Sequence, residues 1–106
     1  MTDGLAIEIA KKKMLELEVG ENYLLRFRHL VLSPDESRII KAPNDILILL
    51  LPDENIRVFS KTGTFDLTDK GISEMQYVYS DTITIQNLNQ KLPVHVKLLQ
   101  VIPKII

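Results

Sequence analysis

The chain has 106 residues, with 13 Lys plus Arg against 14 Asp plus Glu, a formal net charge of −1 and no Cys. Its length suits one domain, here predicted over residues 1–106, since single domains most often have roughly 100–150 residues. The balanced charge argues against nucleic-acid binding, which at this size usually needs a basic excess to neutralise phosphates. Without Cys there is no disulfide framework, thiolate zinc site or iron–sulfur centre.

Aliphatic side chains dominate the composition, since Ile, Leu and Val supply 36 of the 106 residues and Trp is absent. The longest apolar run, Ile46 to Leu51, has six residues, far fewer than the roughly 18 needed to span a bilayer. The first residues include Asp3 and lack the basic and then apolar leader of a signal peptide. The sequence therefore predicts a soluble cytoplasmic or virion protein that is not secreted by a signal peptide and does not bind membranes.

The first predicted element is a helix over residues 5–17. Ala, Leu, Lys, Glu and Met are strong helix formers, and they dominate this segment. Short apolar alternations at both of its ends leave a strand as the alternative. Gly20 is the expected helix stop. The expected apolar face consists of residues at helical spacing: Ile7, Ala10, Met14 and Leu17.

Residues 23–102 show the pattern of β-strands separated by turns. Tyr23 to Leu32 alternates apolar and polar residues, whereas Ile46 to Leu51 is apolar throughout. The latter is expected to form a hairpin with the strand Ile56 to Ser60. Turn signals recur every 8–12 residues or so, which favours an antiparallel β-sandwich or a jelly-roll-like barrel of about seven or eight strands. Further strands are expected over residues 65–67, 75–79, 82–88 and 92–102.

The chemistry-bearing residues indicate no enzyme. The two histidines, His29 and His95, lie on different predicted strands, whereas an imidazole metal site needs two or three converging ligands. His29 falls on the apolar face of its strand, which is typical of a hydrogen-bonded structural histidine. The sequence also lacks a Gly-x-Ser-x-Gly nucleophile elbow. We therefore predict no catalytic residues, no cofactor and no metal.

Two charged clusters have ordinary structural explanations. Asp66, Asp69 and Glu74 could supply oxygen ligands for Ca²⁺, but their spacing differs from that of an EF-hand loop and Lys70 lies among them. A capped turn is the commoner origin of such a cluster. Lys11 to Lys13 is the only basic run, and on a helix its side chains point in different directions, as on a solvated face.

One candidate ligand face follows from shared strand positions. Tyr77 and Tyr79 share one face of their strand, and Arg26 and Arg28 share one face of another. Tyrosines can stack on sugars, and arginines can bind anions. However, tyrosine pairs also stabilise sheets, and arginines on an edge strand also prevent aggregation.

Surplus apolar surface points to a protein partner. A two-layer sandwich needs only one inward face per strand, yet both faces of Ile46 to Leu51 are apolar, and residues 103–106 form an apolar tail. This surface either docks on its own domain or is buried against another chain, as exposed apolar patches often are. The candidate interface residues are Leu49, Leu51, Leu99, Val101, Ile105 and Ile106.

Two stretches carry a resemblance. Leu32 to Ile40, followed by Ile46 to Leu51, resembles a strand–turn–strand unit of small β-sandwich modules, and Thr82 to Asn87, leading to residues 94–102, resembles their closing hairpin. Together they are similar to small accessory virion proteins of tailed phages, of the decoration or connector type. The resemblance implies a non-enzymatic, oligomeric structural role and transfers no functional residue.

The sequence thus predicts a structural or interaction module that assembles with itself or with a protein partner. A sandwich that binds a small ligand or a carbohydrate is the alternative.

Overall fold

The computed structural model describes residues 2–52, 55–67 and 77–104. Within these ranges, one α-helix precedes eight β-strands. The helix is α1 (Asp3–Glu16). The strands are β1 (Tyr23–Leu32), β2 (Ser37–Ile40), β3 (Ile46–Pro52), β4 (Ile56–Ser60), β5 (Gly63–Leu67), β6 (Val78–Ser80), β7 (Ile83–Asn87) and β8 (Val94–Pro103).

The strands form two four-stranded sheets, sheet A in the order β1–β8–β3–β6 and sheet B in the order β2–β7–β4–β5. Every pairing is antiparallel, and four of the pairings are nested: β4 with β5, β3 with β6, β2 with β7 and β1 with β8. In addition, β3 pairs with β8 and β4 pairs with β7. The chain therefore forms one long nested hairpin that is wrapped into two sheets, which is the connectivity of a jelly roll. The predicted β-sandwich is confirmed, as two separate sheets and not as a closed barrel.

The local hairpin predictions are wrong at two places. β3 and β4 lie in different sheets, and so do β7 and β8. β3 is apolar on both faces and is placed inside sheet A, between β8 and β6, where both faces can be buried. The hairpin that does form within one sheet joins β4 to β5, where Ser60 pairs with Gly63. Gly63 has φ +145°, a conformation that L side chains rarely adopt.

Helix α1 confirms the predicted N-terminal helix, although it begins two residues earlier. The Thr2 hydroxyl accepts a hydrogen bond from the Leu5 N–H at 3.2 Å and so caps the helix. The buried face differs from the predicted one, since Leu17 is 55 % exposed. In the described ranges no helix is long and apolar enough to cross a membrane. The buried residues of α1 are Ala6, Ile9, Ala10 and Met14.

Two hydrophobic cores account for the aliphatic composition. The larger lies between the sheets and includes Leu47, Leu49 and Leu98. The second lies on the outer face of sheet A, where α1 covers side chains of β3 and β8. The outward residues of these two strands are Ile46, Ile48, Leu50, Leu99 and Val101. Helix α1 is therefore a third layer, and it gives β3 a second buried face.

This third layer corrects the predicted interface. Leu49, Leu99 and Val101 each have 0 % exposure within the chain, so none of them lies on an accessible surface. Leu49 packs between the sheets, and the other two pack beneath α1. The side chain of Leu51, together with Ile105 and Ile106, lies outside the described residues.

Asn87 is a fully buried polar residue at the end of β7. Its side-chain amide donates to the carbonyl oxygens of Leu32, Ser33 and Leu92 at 3.3, 3.2 and 3.0 Å. Its side-chain oxygen accepts from the Asn89 N–H at 2.9 Å. One side chain thus joins the end of β1 and the turn after it to the loop before β8.

Candidate protein-interaction surface along strand β1

Strand β1 forms one edge of sheet A. All ten of its residues pair with β8, from Tyr23 opposite Pro103 to Leu32 opposite Val94. Just before β1, the Asn22 carbonyl accepts from the Lys104 N–H, which places this backbone group on the β8 side. Successive residues of an antiparallel strand direct their backbone groups to opposite sides. The N–H and C=O groups of Leu25, Phe27 and His29 therefore point to the outer edge.

The side chains of β1 are unusually apolar for an exposed strand. Leu24, Leu25, Phe27 and Val31 are 49, 36, 41 and 47 % exposed. Helix α1 packs over β3 and part of β8 and leaves most of β1 uncovered, although Tyr23 packs partly against the core beneath α1. Long, apolar edge strands readily pair with other chains unless something protects them. We refer to residues 24–31 of β1 as the β1 surface.

The β1 surface is also basic. It carries Arg26 and Arg28 and contains no Asp or Glu. Arg28 donates to the Gln100 side-chain oxygen at 3.4 Å, and Gln100 in turn donates to Asp45 at 2.7 Å. Among the described side chains, no carboxylate pairs with Arg26. Within the described part of the chain, the positive charge along this edge is therefore largely uncompensated.

The end of the β1 surface is closed by the corner that leads to β2. Arg38 donates to the Val31 carbonyl at 3.2 Å and to the Glu36 carboxylate at 2.6 Å. The other Glu36 oxygen accepts from the Ser33 N–H at 2.8 Å. The hydrogen bond from the Ser33 backbone, followed by that from Arg38, holds the pKa of Glu36 below its ordinary value. The open part of the edge therefore runs from Leu25 to His29.

The lowered pKa of Glu36 predicts a specific loss of stability in acid. A carboxyl group whose pKa is lower in the folded chain stabilises the fold above its unfolded pKa, and this contribution is lost as the pH falls through the folded pKa. The stability difference between the parent chain and Glu36→Gln should be constant at neutral pH and vanish in acid, from about pH 5 downward. Urea unfolding across a pH series measures it, and Glu21→Gln controls for the lost charge. A difference that persists unchanged in acid would contradict the assignment.

The predicted ligand face is not assembled. Arg26, Gln100, Leu47 and Tyr79 lie in one row across sheet A, so the arginines and tyrosines occupy opposite edges, about 14 Å apart at the usual strand spacing. Tyr79 is 3 % exposed, and burial raises its pKa to about 12. Tyr77 packs partly against the core between the sheets. The tyrosines and arginines therefore have no common concave site.

The two histidines, by contrast, are brought together. His29 Nε2 and His95 Nδ1 lie 3.2 Å apart, with ring centroids 5.3 Å apart. His29 is opposite Lys97 and His95 is opposite Val31, so the imidazoles occupy diagonal positions on neighbouring strands. This contact could not be predicted from the sequence, because it depends on the register between β1 and β8, which no local pattern indicates.

The acidic and basic clusters take structural roles where they are described. Arg57 pairs with both carboxylate oxygens of Asp66, at 2.6 and 3.0 Å. These hydrogen bonds lower the pKa of Asp66. Asp69 and Glu74 lie outside the described residues. In the basic run of α1, Lys11 and Lys13 pair with glutamates of the same helix, as expected of a solvated face. In the described ranges no group of three or more His, Asp and Glu side chains converges as a metal site.

A concave feature lies at the other edge of sheet A. It is a groove of about 280 Å³ between the end of α1 and β6, lined by Lys13, Glu16, Leu17, Ile46, Val78 and Ser80. Its two charged side chains pair with each other at 3.5 Å. The β1 surface, by contrast, combines unpaired arginine charge with several exposed apolar side chains along one strand.

Comparison of the chain with protein-family models, curated proteins and solved structures gives no match.

Proposed function

We propose that this chain is a non-enzymatic interaction module that binds a protein partner by adding an extended segment of the partner to the open edge of β1. The observation that carries the proposal is an edge strand whose outward backbone groups are open from Leu25 to His29 and lie beside the exposed side chains of Leu25 and Phe27. In strand addition, backbone hydrogen bonds supply affinity, and alternate side chains supply specificity.

Charge complementarity supports an acidic segment as the occupant. A strand added beside Arg26 and Arg28 gains from carboxylates opposite these two residues, since cross-strand pairs of opposite charge are favourable and like charges are not. A second copy of β1, paired antiparallel about Phe27, would instead place Arg26 opposite Arg28. An acidic, partly apolar strand of another protein therefore fits the edge better than β1 of a second copy.

This proposal is compatible with the virion role that the resemblance implies, since such a role also rests on protein contacts. The fold itself does not choose, because jelly rolls occur in capsid proteins, lectins and cupins alike. Binding of a small ligand or carbohydrate is less well supported, because Arg26 and Tyr79 lie at opposite edges of the sheet.

The proposal can be tested with a synthetic peptide that alternates valine and glutamate over the length of β1. We expect it to bind the full chain at low ionic strength roughly tenfold more tightly than a peptide that alternates valine and lysine. Fluorescence anisotropy of the labelled peptides measures both affinities. The double substitution Arg26→Glu with Arg28→Glu should reverse the preference, and an unchanged preference would contradict the charge assignment.

Two substitutions of Phe27 distinguish backbone hydrogen bonding at the edge from contact with the aromatic ring. Phe27→Pro removes an outward N–H and should abolish binding, whereas Phe27→Thr keeps the N–H and should only weaken it. Equal losses would overturn strand addition.

Light scattering of the chain alone tests whether β1 of a second copy occupies the edge instead. If the chain has a doubled mass and Phe27→Pro has the mass of a single chain, the edge is occupied by a second copy. That result would contradict the acidic partner.

A further inference from the structure

We infer that His29 and His95 form a binding site for a divalent transition-metal ion of the Zn²⁺, Ni²⁺ and Cu²⁺ class. The inference rests on the distance between two imidazole nitrogens and on their place in the sheet, and it is independent of the proposed strand addition. Imidazole nitrogen is the preferred protein ligand of these ions when thiolates are absent, and the chain has no Cys.

The separation of the two nitrogens matches that required by one shared ion. Two nitrogens bound at about 2.0–2.1 Å to a tetrahedral ion lie about 3.3 Å apart, and at right angles about 2.9 Å apart. His29 Nε2 and His95 Nδ1 are 3.2 Å apart, so an ion can enter by rotation of the rings without separating the strands. Whichever ring donates the hydrogen bond between these two nitrogens must carry its proton on its other nitrogen once the ion is bound, because a metal-bound imidazole nitrogen bears no proton.

The strands hold the two rings in place before any ion arrives. β1 and β8 pair without a break over ten residues, and the histidines occupy diagonal positions on the same face of this ladder. Sites built on regular elements keep their geometry better than sites built on loops. Both side chains are exposed, so an ion can reach them from solution and keep water on its remaining coordination positions.

Among the described residues, one neighbouring charge opposes the ion. Lys97 lies directly opposite His29, with its ammonium 2.8 Å from Asp3 and 5.6 Å from the centroid of the Phe27 ring. Asp3 neutralises part of this charge, but the ammonium still disfavours a dication nearby. Removing the Lys97 charge should therefore tighten binding, which distinguishes this site from a metal bound elsewhere on the chain.

The test is a calorimetric titration of the full chain with the chlorides of Zn²⁺, Ni²⁺, Cu²⁺ and Mg²⁺. We expect Cu²⁺ to bind most tightly and Mg²⁺ not to bind, following the usual order for nitrogen ligands. His29→Asn and His95→Asn should each weaken Zn²⁺ binding at least about tenfold, because even the loss of a residue that only supports a metal ligand costs roughly that much. Lys97→Gln should strengthen it severalfold, since one opposing charge is removed.

Imidazole nitrogen NMR provides a readout that is independent of affinity. Zn²⁺ should shift His29 Nε2 and His95 Nδ1 together, while circular dichroism of the variants shows whether the fold is retained. Binding that survives both histidine substitutions, or Zn²⁺ shifts confined to other side chains, would overturn the inference.

Discussion

Replacing Met14 by Ala should lower the free energy of unfolding by about 2–4 kcal/mol. Met14 has 0 % exposure and lies in the core between α1 and the outer face of sheet A. Its truncation removes buried apolar surface and leaves a cavity that helix and sheet can only partly close. Urea unfolding monitored by circular dichroism measures the change.

The neighbouring residue provides the control. Leu15 is 70 % exposed on the same turn of α1, so Leu15→Ala should change stability by no more than about 0.5 kcal/mol. Equal effects of the two substitutions would mean that α1 does not pack on the sheet as described. Dye binding should also rise for Met14→Ala, because a loosened helix exposes Ile48 and Leu99 beneath it.

Replacing Asn87 by Ala should cost about 3 kcal/mol, because it leaves the buried carbonyl of Leu32, two partly buried carbonyl groups and one partly buried N–H without this partner. The loss falls where the end of β1, the turn after it and the loop before β8 meet. We therefore expect the melting temperature to fall and amide hydrogen exchange to increase at Ser33 and Asn89. Calorimetry and exchange measurements check the two parts of this prediction.

Gln86 supplies a matched control for Asn87. It carries the adjacent amide side chain on the same strand, but its hydrogen bond to Asp35, at 3.3 Å, is exposed to solvent. Gln86→Ala should therefore have an effect within about 0.5–1 kcal/mol. A loss as large as that of Asn87→Ala would show that the buried amide has no special role.

Strand positions were readily predicted from the sequence, whereas strand partners were not. The bounds of β1 and β4 agree with the predicted segments because alternation and turn residues are local signals. Pairing across the sandwich is non-local: β1 meets β8, and β3 lies between β8 and β6. The hairpin predicted for β3 and β4 was wrong because a short polar turn does not indicate whether the chain continues in the same sheet.

The sequence shows a surplus of aliphatic residues but leaves two causes open, docking on its own domain and burial against another chain. Both faces of β3 are apolar because sheet A packs against sheet B on one side and against α1 on the other. The predicted helix face included Leu17, which is exposed, and omitted Ile9, which is buried. The helix was predicted without a packing partner, so the sequence did not indicate that it forms a third layer of the fold.

The β1 surface and the histidine pair could be predicted from the sequence to different extents. The basic and apolar character of β1 is readable from Arg26, Phe27 and Arg28, but its edge position follows only from sheet order. The contact between His29 and His95 requires the register of two strands far apart in sequence. Local patterns carry neither of these facts.

The nested pairing also constrains the order in which the fold can form. Ser60 and Gly63 pair across a short turn, whereas Tyr23 pairs with Pro103 across most of the chain. Closing a long loop costs conformational entropy, and this cost falls when inner pairings already shorten it. Folding should therefore proceed outward from the β4–β5 turn, with β1 and β8 joining last. Topologies with such distant contacts fold slowly, in milliseconds to seconds, and the outer face of sheet A cannot receive α1 until β8 lies beside β3.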